Sequence, residues 1–196
     1  KRHYNIIKII NTLTRTYKII CLQDTRLNPI DSDFLKKEFP AYAIFYNNGH
    51  RGQDGAGVVT MVHKQTYKDY TYQDITPPNL TPNCNGRILA IHFTPKNHNP
   101  PLNNISTPKS FTITNTYFHP TSHNDKTPLF NVTASLPTPS HSHHFLCGDF
   151  NFTEIEEDGG RASKLMGQSL AAWEKVCNNL SLQEIHQPHH TFHRHS

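Results

Sequence analysis

The chain has 196 residues, 35% of them hydrophobic and only 17% charged, with 8 Tyr and 11 Phe. That balance suits one domain with its own core and excludes a disordered polyelectrolyte, which is rich in charge and poor in aromatics. Nineteen Lys and Arg against 15 Asp and Glu give a net charge of +4, and 15 His add charge as the pH falls. This favours a polyanionic partner only mildly.

Cys21, Cys84, Cys147 and Cys177 lie far apart without a C-x-x-C pair, which argues against a zinc knuckle or a disulfide framework and fits thiols in a reducing compartment. No apolar run reaches the roughly 18 residues of a membrane span, and the opening KRHYNIIKIINTL breaks its isoleucines with Lys8, Asn11 and Thr12. Neither a span nor a signal peptide is expected. The chain starts at Lys, which suits a piece of a longer protein.

In chain order, Ile6, Ile10, Leu13 and Tyr17 recur at helical spacing and predict a first helix feeding a buried strand, Ile19 to Leu22. Strand-like runs follow at Gly57 to Val62, Ile88 to Phe93, Phe111 to Phe118 and His144 to Asp149. Thr94 to Ser110, with four prolines and little that is apolar, predicts an exposed loop between paired strands. Leu165 to Leu182 predicts a closing helix with Leu165, Ser169, Trp173, Val176 and Leu180 on one side. The order predicts an α/β sandwich of two mainly antiparallel sheets flanked by helices, with residues 1–196 forming a single, partial domain.

Three strand ends carry candidate chemistry. In Leu146-Cys147-Gly148-Asp149-Phe150-Asn151, a carboxylate and a carboxamide two residues apart point the same way if the chain stays extended; the same tetrapeptide also reads as a turn. Asp24 in Leu22-Gln23-Asp24-Thr25-Arg26 is either a ligand for a hard divalent cation, which takes oxygen donors, or the cap of the next turn. Tyr117 in Thr114 to Pro120 is either a hydrogen-bond donor to a phosphate oxygen or a packed strand tyrosine. Lys36, Lys37, Lys64, Lys68, Lys96, Lys109, Lys126 and Arg161 are scattered like solubility residues, and Arg51 sits on a loop that could touch a DNA backbone. His186, His189, His190, His193 and His195 read as a surface tail, and His141, His143 and His144 lack a Cys or carboxylate at zinc spacing.

Taken in order, Gln23-Asp24-Thr25, Gly55-x-Gly57-Val58-Val59, Asn115-x-Tyr117 and Gly148-Asp149-Phe150-Asn151 resemble the endonuclease/exonuclease/phosphatase superfamily over nearly the whole chain. Phe152, Trp173 and the segment Leu182 to Phe192 look most like the endonuclease domain of LINE-type retrotransposons. The resemblance implies a DNase I-like fold and Mg²⁺- or Mn²⁺-dependent phosphodiester hydrolysis. On this resemblance Asp24 helps hold the metal, Tyr117 contacts the scissile phosphate, and Asp149 and Asn151 orient water and stabilise developing charge. It further implies DNA as substrate, a reverse transcriptase domain in the same polyprotein and action in the nucleus.

The family normally has Glu where this chain has Asp24, which withdraws the carboxylate by roughly 1.5 Å, one C–C bond. On the resemblance, its first strand, with a site asparagine, would fall before Lys1, and its closing Asp and His motifs would fall after Ser196. Two competing expectations therefore stand: a truncated or decayed copy without activity, and a DNase I-like phosphoesterase acting on a substrate other than DNA.

Overall fold

The computed structural model describes residues 2–49, 56–96, 109–118, 123–139, 142–153 and 163–185. Helix α1 (Arg2–Thr14) leads into strand β1 (Ile19–Leu22), followed by α2 (Pro29–Glu38), β2 (Tyr42–Asn47), β3 (Val58–His63) and β4 (Tyr70–Asp74). Then come β5 (Ile88–Pro95), β6 (Phe111–Tyr117), α3 (His123–Ala134), β7 (His143–Asp149), the short β8 (Phe152–Thr153) and β9 (Ser163–Lys164), and α4 (Gly167–Leu180).

Two larger sheets form, one in the order β1-β3-β2 and one in the order β4-β5-β6-β7, and a small third pairs β8 with β9. Pairing within the two large sheets is antiparallel except between β6 and β7, whose parallel register follows from the crossover through α3. The sandwich of mainly antiparallel sheets flanked by helices is the architecture expected from the sequence.

The continuous apolar runs exist because the central strands are covered on both faces. Along β3, Val58 and Val62 meet Leu89, Ile91, Phe93 and Ile113 between the sheets. Val59 and Met61 face the other way, onto Ile10 of α1, Leu35 of α2 and Phe39 just after α2. On the outer face of the second sheet, Ile88, Ala90 and Phe118 pack against Leu129 and Phe130 of α3 and Val176 and Leu180 of α4. Fully burying a side chain of this size stabilises by about 1.5–3 kcal/mol, so these three clusters dominate the fold's energetics.

The closing helix places Ser169, Val176 and Leu180 inward as its spacing predicts, and Leu165 is buried just before it. The first helix ends at Thr14, so Tyr17 does not continue its apolar face. Tyr17 is 54% exposed, and its carbonyl instead accepts a hydrogen bond from the Tyr42 hydroxyl at 2.6 Å. The strands on either side of the proline-rich loop are paired neighbours, as expected, while residues 97–108 of the loop lie outside the described residues.

Candidate functional site

The segment after β1 is fixed by backbone bonds to the start of β3. Thr25 N–H donates to the Gly57 carbonyl and Arg26 N–H to the Ala56 carbonyl, each at 3.0 Å. Gly57 has φ +116°, and a Cβ there would press on the Thr25 hydroxyl and the Arg26 nitrogen, so only glycine allows this approach. Held this way, Asp24 and Arg26 both take left-handed backbone angles, φ +49° and +51°. Arg26 Nε and Nη2 donate to the two Asp24 carboxylate oxygens at 2.9 and 3.1 Å, a bidentate pair on a carboxylate that is 37% exposed.

At the end of β7, Gly148 lies against Thr116 of β6, and a Cβ at this position would overlap the Thr116 carbonyl. The chain then turns instead of running on. The Asp149 carboxylate accepts the Asn151 N–H at 3.1 Å, Asn151 has φ +50°, and its side-chain amide donates to the Phe118 carbonyl at 2.9 Å. The extended geometry expected for Asp149 and Asn151 is therefore replaced by an Asx-type turn, because Asp bonds its own backbone two residues on and Asn tolerates the left-handed region. Asp149 is exposed, whereas the Asn151 amide ties the turn to the end of β6.

Beneath these two rims sits Asn115, fully buried on β6. Its amide nitrogen donates to the Val59 carbonyl at 3.0 Å and to the Leu22 carbonyl at 3.2 Å, and its oxygen accepts from Gln23 Nε2 at 2.7 Å. One side chain thus reaches from the second sheet into the first and holds the residue next to Asp24. Sequence reading placed Asn115 in the motif without this role, and it passed over Gln23 and Arg87 as site residues. The signal for Arg87 was available: an arginine at the head of the buried run Ile88 to Phe93 needs a reason to be there.

Tyr117 is nearly buried, and the Arg87 guanidinium lies 5.0 Å from its ring centre. Burial, and after it the Asp24 and Asp149 carboxylates, push the Tyr117 hydroxyl above its usual range, opposed by Arg87 and Arg26. The hydroxyl therefore stays protonated at neutral pH and is a hydrogen-bond donor. The strand register sets Tyr117 opposite Asp149 and Ile88 opposite Thr116, and Asn115 bonds Leu22 and Gln23, so Asp24, Arg26, Arg87, Tyr117 and Asp149 share one end of the two sheets.

Most of the lysines behave as the sequence suggests. Lys36 pairs with Asp33 at 3.1 Å and Lys96 bonds the Lys68 carbonyl at 2.8 Å. Lys126 does not: it is fully buried on α3, and burial lowers its ammonium's pKa. Arg51, Arg161, His141 and the tail from His186 onward lie outside the described residues. His143 is exposed, while His144 Nε2 pairs with the Thr114 hydroxyl at 2.8 Å.

Among the described residues no group of three or more His, Cys, Asp or Glu could hold a metal ion. The donor chemistry at Asp24 still fits a hard cation: Mg²⁺ is usually held by one or two carboxylates, with water and substrate phosphate completing its shell. A positive group, the Arg26 guanidinium, already occupies that carboxylate, so the position accepts positive charge.

No protein-family model matches the chain, and no curated protein matches it in sequence. Among solved structures, the chain is similar to the AP endonuclease LMAP from Leishmania major, with a TM-score of 0.59 and 13% sequence identity. The likeness covers 87% of this chain and 60% of that one, so the chain spans about three-fifths of its structural neighbour. It establishes the DNase I-like fold, two sheets with flanking helices.

Proposed function

We propose that the chain is a DNA-nicking phosphodiesterase, the endonuclease domain of a retrotransposon polyprotein that works in the nucleus with Mg²⁺ or Mn²⁺ and beside a reverse transcriptase. The observation that carries the hydrolytic part is the meeting of Asp24, Tyr117 and Asp149 at one end of a DNase I-like sandwich, where both carboxylates act on one buried tyrosine. The naming of the structural neighbour as an endonuclease supports it. The retroelement part is supported by the similarity around Phe152, Trp173 and Leu182 to Phe192.

In this reading the Tyr117 hydroxyl, protonated at neutral pH, donates a hydrogen bond to a non-bridging phosphate oxygen. Asp149, exposed at the end of β7, accepts a proton from the attacking water. Asn151 fixes the Asp149 turn through Phe118 and keeps further amide capacity for the phosphate. Asp24 would hold the cation, which supplies positive charge to the phosphate oxygens as the transition state forms.

A supercoiled plasmid incubated with the chain and Mg²⁺ or Mn²⁺ tests this. We expect nicked circles, and a loss of about 10²–10⁴-fold in Asp149→Ala, the usual contribution of a positioned acid or base. Nicking unchanged in Asp149→Ala refutes the assignment. The bidentate Asp24–Arg26 pair favours a second reading, an inactive copy, in which a well-folded chain neither binds the cation nor nicks. Hydrolysis of other phosphate esters with DNA left intact points to a non-DNA substrate.

A further inference from the structure

Cys21 and Cys147 are 126 residues apart in sequence, yet their sulfurs lie 3.2 Å from each other, with Cys147 Sγ donating to Cys21 Sγ. The approach follows from topology. β1 is an outer strand of one sheet and β7 an outer strand of the other, and both thiols pack into the inter-sheet cluster of Val58, Val62 and Ile113. Each is partly buried, and each lies on an edge strand of its sheet. Cys84 is buried in a different cluster, under α3 and α4.

We propose that Cys21 and Cys147 are a dithiol pair that closes to an intramolecular disulfide in the presence of a low-molecular-weight disulfide such as oxidised glutathione. The clamp joins the two sheets directly under the candidate site, since Cys21 lies three residues before Asp24 and Cys147 two before Asp149. Closure needs the sulfurs to move from 3.2 Å to the roughly 2.05 Å of an S–S bond, within reach of side-chain rotation.

The exchange balances in two steps. The Cys21 thiolate attacks one sulfur of oxidised glutathione, breaking its S–S bond and releasing one glutathione thiolate. Cys147 sulfur then attacks the Cys21 sulfur of the mixed disulfide and releases the second; the two protein thiol protons end on the two released glutathiones, and the protein is oxidised by two electrons. Cys21 is the attacking thiol because the hydrogen bond from Cys147, outweighing burial, lowers its pKa, and the same contact with burial raises that of Cys147.

The test uses the whole chain, treated with oxidised glutathione, alkylated, digested without reduction and mapped by mass spectrometry. We expect a Cys21–Cys147 cross-linked peptide and a melting temperature higher by on the order of 10 °C, the size expected for a clamp closing a loop this long. Reductant should reverse both. A Cys84→Ser/Cys177→Ser double variant should keep the cross-link and the shift, and Cys147→Ser should leave Cys21 as a stable glutathione adduct. Mixed disulfides at both thiols without the cross-link, or a cross-link through Cys84 or Cys177, overturn the proposal. So does an unmodified Cys21 beside an oxidised Cys177. These readouts do not depend on whether the chain cleaves DNA.

Discussion

The rim and the floor of the candidate site are built on opposite rules. On the floor, Asn115 is fully buried, and its amide bonds four partners, two of them backbone carbonyls of the facing sheet. On the rim, Asp24, Arg26 and Asn151 hold left-handed backbone angles, three of the four non-glycine residues with positive φ among those described. Such conformations cost of order 1–3 kcal/mol for bulky residues and less for Asp and Asn, and they persist only where surrounding structure dictates them. A satisfied floor is what makes a strained rim affordable, so breaking the floor should cost the fold and breaking the rim should cost the chemistry.

The largest effect is expected at Gly148, where rim and floor meet. Its φ of +153° and the Thr116 carbonyl at the position of a Cβ leave no room for a side chain without parting β6 from β7. Gly148→Ala combines backbone strain with overpacking, together about 4 kcal/mol. Urea denaturation reads this as a lower midpoint, and a midpoint within error of wild type sinks the account.

Asn115→Leu tests the floor alone. The Leu22 and Val59 carbonyls and the Gln23 amide lose a shared partner, and leaving such groups buried costs about 1–3 kcal/mol each before relaxation. We expect a net loss of about 3 kcal/mol by denaturant melts, together with loss of whatever the rim does, because Gln23 adjoins Asp24. Asp149→Ala should do the reverse: activity down by about 10²–10⁴-fold and stability by only about 1 kcal/mol, the net worth of the exposed bond from Asn151 N–H.

His144 separates the two by pH, since it lies far along β7 from the rim. Burial, with His92 nearby adding to it, lowers its pKa from 6.5 to about 4. Above pH 6.5 the folded and unfolded chains are both neutral at this residue, and no stability depends on it. Between about 6.5 and 4 the unfolded chain takes up the proton and the folded one does not, so stability falls as pH falls. From pH 7 to pH 5 this amounts to about 2 kcal/mol. His144→Gln should flatten that slope in urea melts; an unchanged slope means that other groups set it.

How much of this was legible differs between floor and rim. The runs Gly57 to Val62, Ile88 to Phe93 and Phe111 to Phe118 were readable because burial on both faces writes itself as unbroken apolar sequence. α3 was not, since Pro128 interrupts it and its helical face is defined by α4, a partner distant in sequence. α2 carried a local signal that went unused, an Asn28–Asp31 capping box followed by Pro29 at the first position. β2 and β4 border their sheets and lack a long apolar run. At the site, residue types and order were visible at Asp24, Tyr117, Asp149 and Asn151. The left-handed turns, the Arg26 pairing and the Asn115 bridge were not, because each depends on strands that meet only in three dimensions.

The smallest expected effect lies wholly on the rim, at Arg26. Its guanidinium and a divalent cation compete for one carboxylate, so removing it should tighten cation binding. Both partners are substantially exposed, 46% and 37%, and exposed ion pairs contribute only about 0.2–1 kcal/mol. Arg26→Met should therefore raise Mn²⁺ affinity by no more than about fivefold, read by the fall in free-Mn²⁺ electron paramagnetic resonance signal on titration. The melting midpoint should barely move, since the Arg26 N–H bond to Ala56 that shapes the loop is backbone and survives the substitution. Asp24→Glu offers the complementary change, returning the methylene that the shorter side chain lacks. If neither variant binds Mn²⁺ more tightly than wild type, Asp24 is a structural partner of Arg26 and not a cation ligand, and the inactive-copy reading gains what the nuclease reading loses.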